Sequence, residues 1–268
     1  MKKAVVVSIV TLILLFSVVF AASAITDGEL DRDGHPFVGL ALFYDENDEY
    51  MWRCSGTLLS ETVFLTAGHC TYSTTTARVL FDADLMELEY PYPDCGPYTC
   101  YEGDTYAHPE YDDNLFYVRD AGVVVLTEPV EGITEFGTLP EIDSLDALMP
   151  SRGVKATFTA VGYGLQASFP DGADWKTVAD RIRMVAYPKL LQLNAPGMTG
   201  DFSMLLSNNH ATGGTCYGDS GGPNFLGDSY VVAGITSYGM NVSCAGTGGV
   251  FRTDRENVQD FITPFLGE

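Results

Sequence analysis

"TCYGDSGGP", Thr215 to Pro223, is the stretch on which the reading of this chain turns. Ser220 stands there among Gly218, Gly221 and Gly222, in a segment that a proline ends. Taken alone, a glycine-rich GDSG is a surface turn. Two other stretches change that. "LTAGHC", Leu65 to Cys70, puts His69 behind a β-like run and beside a cysteine. "RDAGVVVL", Arg119 to Leu126, opens an apolar run with Asp120. A lone histidine is usually structural, and a lone aspartate at such a place is usually a strand cap or half of an ion pair. Together, in the chain order His, Asp, Ser, they supply a base, an orienting acid and a nucleophile. A serine hydroxyl is a weak nucleophile at its own pKa and needs a base within hydrogen-bond reach. An imidazole, with an ordinary pKa of about 6.5, both takes that proton and returns it.

Short β-like runs flank these stretches: "FVGLALFY" (37–44), "ETVFLTA" (61–67), "ARVLF" (77–81), "AGVVVL" (121–126), "KATFTAVGYG" (155–164), "RIRMVAY" (181–187), "YVVAGITSYG" (230–239) and "GGVFR" (248–252). Gly, Pro, Asp and Asn lie between them. The pattern predicts an all-β sandwich or barrel. "EGITEFGTLPEIDSLDALMPSRG" (131–153) reads as a polar connector between two β-rich halves. The tail "TDRENVQDFITPF" predicts a helix capped by Asp254, with Val258, Phe261 and Ile262 on one face and Pro264 limiting it. No internal repeat or low-complexity tract is present.

The 268 residues, 46% of them hydrophobic, suffice for one large domain or two small ones. A net charge of −22 argues against nucleic acid as a partner, since that needs a basic footprint. Lys2 and Lys3 precede an apolar run from Ala4 to Ala22, and Ala22-Ser23-Ala24 fits a small-x-small cleavage site. The run reads as a cleaved secretion signal. It is also long enough to span a bilayer, so a retained anchor is the alternative and the only route to a membrane partner. Six cysteines follow: Cys54, Cys70, Cys95, Cys100, Cys216 and Cys244. In an exported chain they predict disulfides, although six allow fifteen pairings. The absence of a CxxC pair argues against a metal.

TAGHC together with GDSGGP resembles the trypsin/chymotrypsin-like serine proteases, and the similarity runs from Ile25 to the C-terminal helix. The resemblance implies two six-stranded antiparallel β-barrels with the site between them and a helix at the end. Residues 1–24 are then the signal peptide. Residues 25–145 form the barrel carrying His69 and Asp120, and 146–268 the barrel carrying Ser220 and the specificity pocket. It implies hydrolysis of peptide bonds through an acyl-enzyme, with His69, Asp120 and Ser220 catalytic. The backbone N–H groups of Gly218 and Ser220 would form the oxyanion hole, and Ser237 of "TSYG" would support the acid. It pairs Cys54 with Cys70 and Cys216 with Cys244. The remaining Cys95 and Cys100 have no clear family counterpart, and their short separation suits a local staple.

In animal members of this family, cutting a propeptide frees an Ile-Val-Gly-Gly end whose amino group pairs with the aspartate beside the nucleophile. Here Ile25-Thr26-Asp27-Gly28 would take that place and Asp219 would be the acid. Signal cleavage after Ala24 would expose Ile25 directly. The resemblance aligns the pocket floor with Gly214, next to Thr215, and the walls with Gly239 and Gly249. No aspartate stands at the floor, so an uncharged pocket for an apolar or aromatic residue is expected. Thr236 occupies the place where some acid-specific relatives carry a histidine. The segment 81–94, with Asp82, Asp84, Glu87 and Glu89, falls near a calcium-binding loop of some members. The plainer reading is a solvated acidic loop, and no cofactor and no metal is expected in the catalytic site. Asn241-Val242-Ser243 is a sequon in a host that glycosylates. His35, His108 and His210 suggest no partners and read as structural. The reading is a secreted, extracellular, monomeric endopeptidase acting on proteins or peptides. An esterase is disfavoured because Ser220 is not in a G-x-S-x-G elbow. A non-catalytic binding module on the same fold is disfavoured because all three positions are intact.

Overall fold

A computed structural model describes residues 25–115, 118–148, 155–166 and 179–267. The segment 1–24, read as a signal, lies outside them. The run at 37–44 becomes β2 (Val38–Tyr44), buried along its whole length. Side chains alternate across a strand, and here both faces find cover. Ala41 and Phe43 join the main core, whereas Leu40, Leu42 and Tyr44 join a second cluster with Leu85, Leu88 and Tyr92. The acidic loop therefore roofs the outer face of β2 with its apolar residues. Its carboxylates at Asp82, Asp84, Glu87 and Glu89 are exposed.

Around β2 are β3 (Tyr50–Leu58), β4 (Val63–Thr66), β5 (Thr76–Leu80), β6 (Cys100–Ala107) and β7 (Gly122–Leu126). They close an antiparallel barrel in the order β2-β3-β4-β7-β6-β5, with β5 returning to β2.

The second sheet holds β8 (Phe158–Gly162), β9 (Met184–Ala186), β10 (Leu190–Ala195), β11 (Gly200–Asn208), β12 (Pro223–Leu226), β13 (Val232–Gly239) and β14 (Gly246–Arg252). Its order is β9-β8-β12-β13-β14-β11-β10, with β1 (Glu29–Leu30) added beyond β9. The sheet's two inner ends are successive pieces of one bent strand. β8 pairs with β9 at Ala160↔Ala186, and the same register continues through a Thr157↔Lys189 bridge into the start of β10. Counting β9 and β10 as one strand gives six, curled into the second barrel.

The chain ends cross between the barrels. β1 pairs with β9, so the first described residues join the second sheet. The C-terminal helix, Glu256–Leu266, docks on the first barrel through Phe261 against His108 and Phe265 against Tyr106. The helix differs from the expected one at both ends. Its N-cap is Arg255 with no side-chain cap bond, because Asp254 is committed to Arg252 at 2.7 Å and to the Leu145 N–H at 3.0 Å. Pro264 lies within the last turn, and the helix stops at Gly267, which adopts a left-handed conformation.

Arg183 ties these parts together. It pairs with Asp31 at 2.9 Å, each side chain 2% exposed. It also donates to the carbonyls of Val38, Phe81 and Arg32. Burial alone would raise the Asp31 carboxyl, but His35 and Arg183 together hold it below its ordinary value of 3.8. Arg183→Met leaves that carboxylate buried without its cation and lowers stability by about 3–5 kcal/mol, read by denaturant melts at neutral pH. A carboxyl with a lowered folded pKa stabilises above its unfolded value and loses that contribution as pH falls. The deficit of the variant therefore shrinks below pH 3.8. An equal deficit at all pH values would show that packing, not the ion pair, was lost.

Candidate active site

β4 ends at Thr66, and the chain turns into the short helix Gly68–Thr71 that carries His69. A disulfide from Cys70 to Cys54 on β3 pins this turn. β7 pairs with β4 at Thr66↔Gly122, which brings Asp120, two residues before that strand, beneath the turn. Asp120 is fully buried and accepts three donors. The His69 backbone N–H reaches it at 2.8 Å and the ring Nδ1 at 2.9 Å. The third is Ser237 Oγ at 2.5 Å, presented by β13 of the other barrel. Desolvation opposes the imidazolium, yet the Asp120 charge and hydrogen bond, with Asp113 beyond, hold the His69 pKa above 6.5.

The segment 215–223 forms a tight turn fastened to both barrels. The Ser220 carbonyl accepts the Ser55 N–H at 2.8 Å, and Ser55 Oγ donates to the Gly218 carbonyl at 2.9 Å. Gly218 has φ +93°, a region that favours glycine. Among the described residues, neither the Gly218 nor the Ser220 N–H donates to a protein acceptor. Cys216 is bonded to Cys244, and Cys95 to Cys100, so all three expected pairings form.

Asp219 is buried and accepts the N–H groups of Gly164 at 2.8 Å and Cys216 at 2.9 Å. Burial dominates those bonds and the distant Arg53 charge, and pushes its pKa up from 3.8 to about 7. Gly162 leaves room for it, since a Cβ there would sit 2.4 Å from Asp219 Oδ1. Ile25 packs on Met184 and Ala186. Met184 is directly opposite Gly162 in the β8–β9 pair, and opposed residues point to the same face. Ile25 and Asp219 therefore lie over one face of that pair. Ile25 has φ +52°, which strains a β-branched residue by about 1–3 kcal/mol.

Ser220 borders two cavities. One, of about 410 Å³, is formed by second-barrel residues that include Thr215, Gly239, Met240 and Val242, with no charged side chain among its described lining. Two residues expected there are absent from it. Gly214 faces Asn208, whose side chain would be 2.3 Å from a Cβ at that position, and Asn208 Nδ2 supports the Thr215 carbonyl from below. Gly249 lies under Tyr238, whose ring carbons would be 2.3 Å from its Cβ. The other cavity, of about 440 Å³, holds His69 with Trp52, Tyr72, Tyr111 and Asp113. Sequence reasoning reached His69 but not the other four. Their only signal was closeness in sequence to Cys54, Cys70 and Asp120.

The carboxylates at 82–89 do not converge. Among the described residues, the single group of three potential ligands within reach of one another is Cys54, His69 and Cys70, and its two sulfurs are spent in a disulfide. The other histidines do have partners: His35 with Asp31, His108 with the Asn257 carbonyl, and His210 with Asp27 at 2.7 Å. Among the described residues, no helix is long and apolar enough to cross a membrane.

A family model described as Trypsin matches residues 32–262. A brachyurin of Leptuca pugilator is 29% identical over 211 residues, covering 76% of this chain and 81% of that protein. Chymotrypsin-C of Bos taurus is 28% identical over 216 residues, covering 76% and 74%. In shape, the chain is similar to a solved structure described as HL collagenase, with a TM-score of 0.69 and 18% identity, over 91% of this chain and 99% of that one.

Proposed function

Since this chain belongs to the trypsin family and is a serine-type endopeptidase, we propose that Ser220 is its nucleophile, His69 its proton carrier and Asp120 the acid that orients His69. The observation that carries this is the bonded series Ser237–Asp120–His69, ending at the cavity that Ser220 borders. Ser220 Oγ attacks the scissile carbonyl while His69 Nε2 takes its proton. The oxyanion forms against the unused N–H groups of Gly218 and Ser220. His69 then protonates the departing amine, and water repeats the sequence in reverse to free the acid.

The uncharged second-barrel cavity favours an apolar or aromatic residue before the cut bond. The enzyme works secreted and as a monomer, on proteins or peptides and not on nucleic acid. Side chains and backbone carry the reaction without a cofactor. Cleavage after Ala24 activates it, and the conformation of Ile25 supports this. Its φ is strained only while a residue precedes it, because a free N-terminal residue has no φ.

The test is to treat the secreted protein with a serine-reactive fluorophosphonate and record its intact mass. The expected mass begins at Ile25 with one adduct, persists after EDTA and loses the adduct in Ser220→Ala. An unlabelled protein beginning at Ile25 would favour a binding module. Loss of labelling in EDTA would restore a calcium role for the 81–94 loop. A labelled chain that still carries the apolar run would make it an anchored enzyme and overturn the account of Ile25.

A further inference from the structure

We propose that a cavity of about 280 Å³, at the end of the first barrel away from His69, is a second substrate-binding site that takes a lysine or arginine side chain of the polypeptide being cut. The inference extends the catalytic reading above but uses none of the catalytic residues. β6 and β7 run between the two places. Ala107, the last residue of β6, pairs with Gly122 at the start of β7, two residues after Asp120. Tyr101, near the start of β6, borders the cavity, and so do Glu131 and Ile133, which follow β7. From Tyr101 to Ala107 an extended strand covers about 20 Å. A side chain held there lies far along the substrate from the bond that is cut.

The walls are fixed before any substrate arrives. Phe81 and Asp82 directly follow β5, and both backbone carbonyls are held from the second barrel. That of Phe81 accepts Arg183 Nη1 at 2.8 Å, and that of Asp82 accepts the Tyr163 hydroxyl at 2.9 Å. The Tyr101 ring stands edge-on to Phe81, with centroids 5.9 Å apart. Its hydroxyl accepts the Glu131 N–H at 3.3 Å, which joins two sides of the cavity. Pro36 and Ile133 extend the apolar lining.

Charge identifies the occupant. Asp82 and Glu131 both border the cavity and are exposed, and no cation stands in its described lining. Among the described residues, neither carboxylate forms an ion pair or accepts a hydrogen bond. The cavity therefore presents two aromatic rings and aliphatic surface beneath two unspent negative charges. An aliphatic occupant would gain nothing from the carboxylates, and an acidic one would meet like charge. Lysine or arginine uses both parts, its stem against the rings and its head at the rim. An exposed ion pair contributes little, so the site is weak for a free side chain. It becomes effective for a tethered one, whose effective concentration is on the order of millimolar. Asp82, whose loop carboxylates do not converge on a metal, has a place here instead. The net charge of −22 draws basic polypeptides to the whole surface, so the test must separate the cavity from that general attraction.

The test uses one cleavable peptide extended, at one end or the other, by a Gly/Ser linker of about 16 residues, whose average span of about 22 Å matches the separation. The linker ends in two arginines or in two glutamines, and kcat and KM are read separately from product masses. With wild type, the arginine tail should lower KM by ~5-fold relative to the glutamine tail, at unchanged kcat, in at least one placement. Asp82→Asn combined with Glu131→Gln should bring that KM ratio to about one. Glu46→Gln combined with Asp260→Asn removes the same charge from exposed positions on the β2–β3 turn and the C-terminal helix, and should keep the ratio. Equal KM values for the two tails in wild type would overturn the proposal. So would a ratio that survives in the cavity variant, a ratio that falls equally in both variants, or an effect carried by kcat. Titrating the same peptides, fluorescein-labelled, into Ser220→Ala gives Kd by anisotropy without catalysis. The arginine tail should bind ~5-fold tighter there, and equal Kd values would overturn the proposal whatever became of the catalytic reading. Loss of cleavage and of fluorophosphonate labelling with that Kd difference intact would bring down the catalytic reading and leave the second site standing.

Discussion

His69→Ala lowers kcat on a peptide substrate by about a million-fold, Ser220→Ala does the same, and the double variant is scarcely worse than either. The reason is that in the proposed mechanism the three groups act as a unit. Without the imidazole, Ser220 retains its proton at neutral pH. Without the hydroxyl, the imidazole has nothing to deprotonate. Asp120→Asn costs about ten-thousand-fold, and the bonding explains why it is not neutral. Asp120 accepts from three donors, the His69 N–H, the His69 ring and Ser237. An amide has an NH₂ where one of these must be received, so the ring loses its acceptor or turns. The same carboxylate sets the pH profile. His69 has a pKa raised above 6.5, so the base is inactivated by protonation at a higher pH than a free imidazole would be. The acid limb of kcat/KM therefore falls above 6.5. Stability moves oppositely: the imidazolium–carboxylate pair stabilises fully below 6.5 and is lost as pH rises through the raised value. His69→Ala activity within about a hundred-fold of wild type would mean another base serves Ser220.

How much of this was legible in the sequence depended on whether the needed signal was local. The runs at 121–126 and 230–239, which become Gly122–Leu126 and Val232–Gly239, are apolar with turn residues at their ends. Two of the strands missed, β6 and β12, lack such a run. β6 is "CYEGDTYA", exposed at several positions, and it holds its place by pairing with β5 and β7 rather than by burial. β12 begins with Pro223, inside the motif that drew attention for its chemistry. The three residues proposed as the triad stand out in sequence because the chemistry asked of them restricts residue type at each position. Of the residues aligned with the pocket, Thr215 and Gly239 border the cavity while Gly214 and Gly249 do not, because a glycine reports only that space is needed. At Gly214 and Gly249 the space belongs to Asn208 and Tyr238, not to substrate. The acidic loop shows in sequence only its charges, read as a solvated loop with calcium as the alternative; the apolar set Leu85, Leu88 and Tyr92 lying on β2 was not legible there. The helix cap failed in part for a nonlocal reason, since the distant Leu145 N–H, besides neighbouring Arg252, holds Asp254.

An enzyme secreted with one or two extra residues before Ile25 should retain less than about a hundredth of the activity, although it folds. The argument runs through Asp219. Among the described residues its carboxyl accepts two N–H donors and faces a distant guanidinium, and burial pushes its pKa to about 7. A carboxyl whose folded pKa is raised above 3.8 favours the fold at low pH and ceases to do so as pH climbs through about 7. At working pH the turn therefore carries a charge it does not fully satisfy. The Ile25 side chain already sits over the same face of β8–β9 as this carboxyl. A cut before Ile25 relieves its φ of +52° and supplies an ammonium there. The pair lowers the Asp219 pKa and raises that of the amine above its free value near 8. Asp219 lies between Gly218 and Ser220, so the proposed pair would hold the two N–H groups proposed to receive the oxyanion. Activity should then fade as pH rises through the amine's raised value. In the extended form the amine is displaced, and kcat drops while the thermal midpoint shifts by only a few degrees. The comparison needs both proteins, their N-termini fixed by mass, assayed on one peptide across pH. Equal kcat with and without the extension would mean that Asp219 is satisfied by the N–H groups of Gly164 and Cys216 alone, and that exposing Ile25 plays no part in activation.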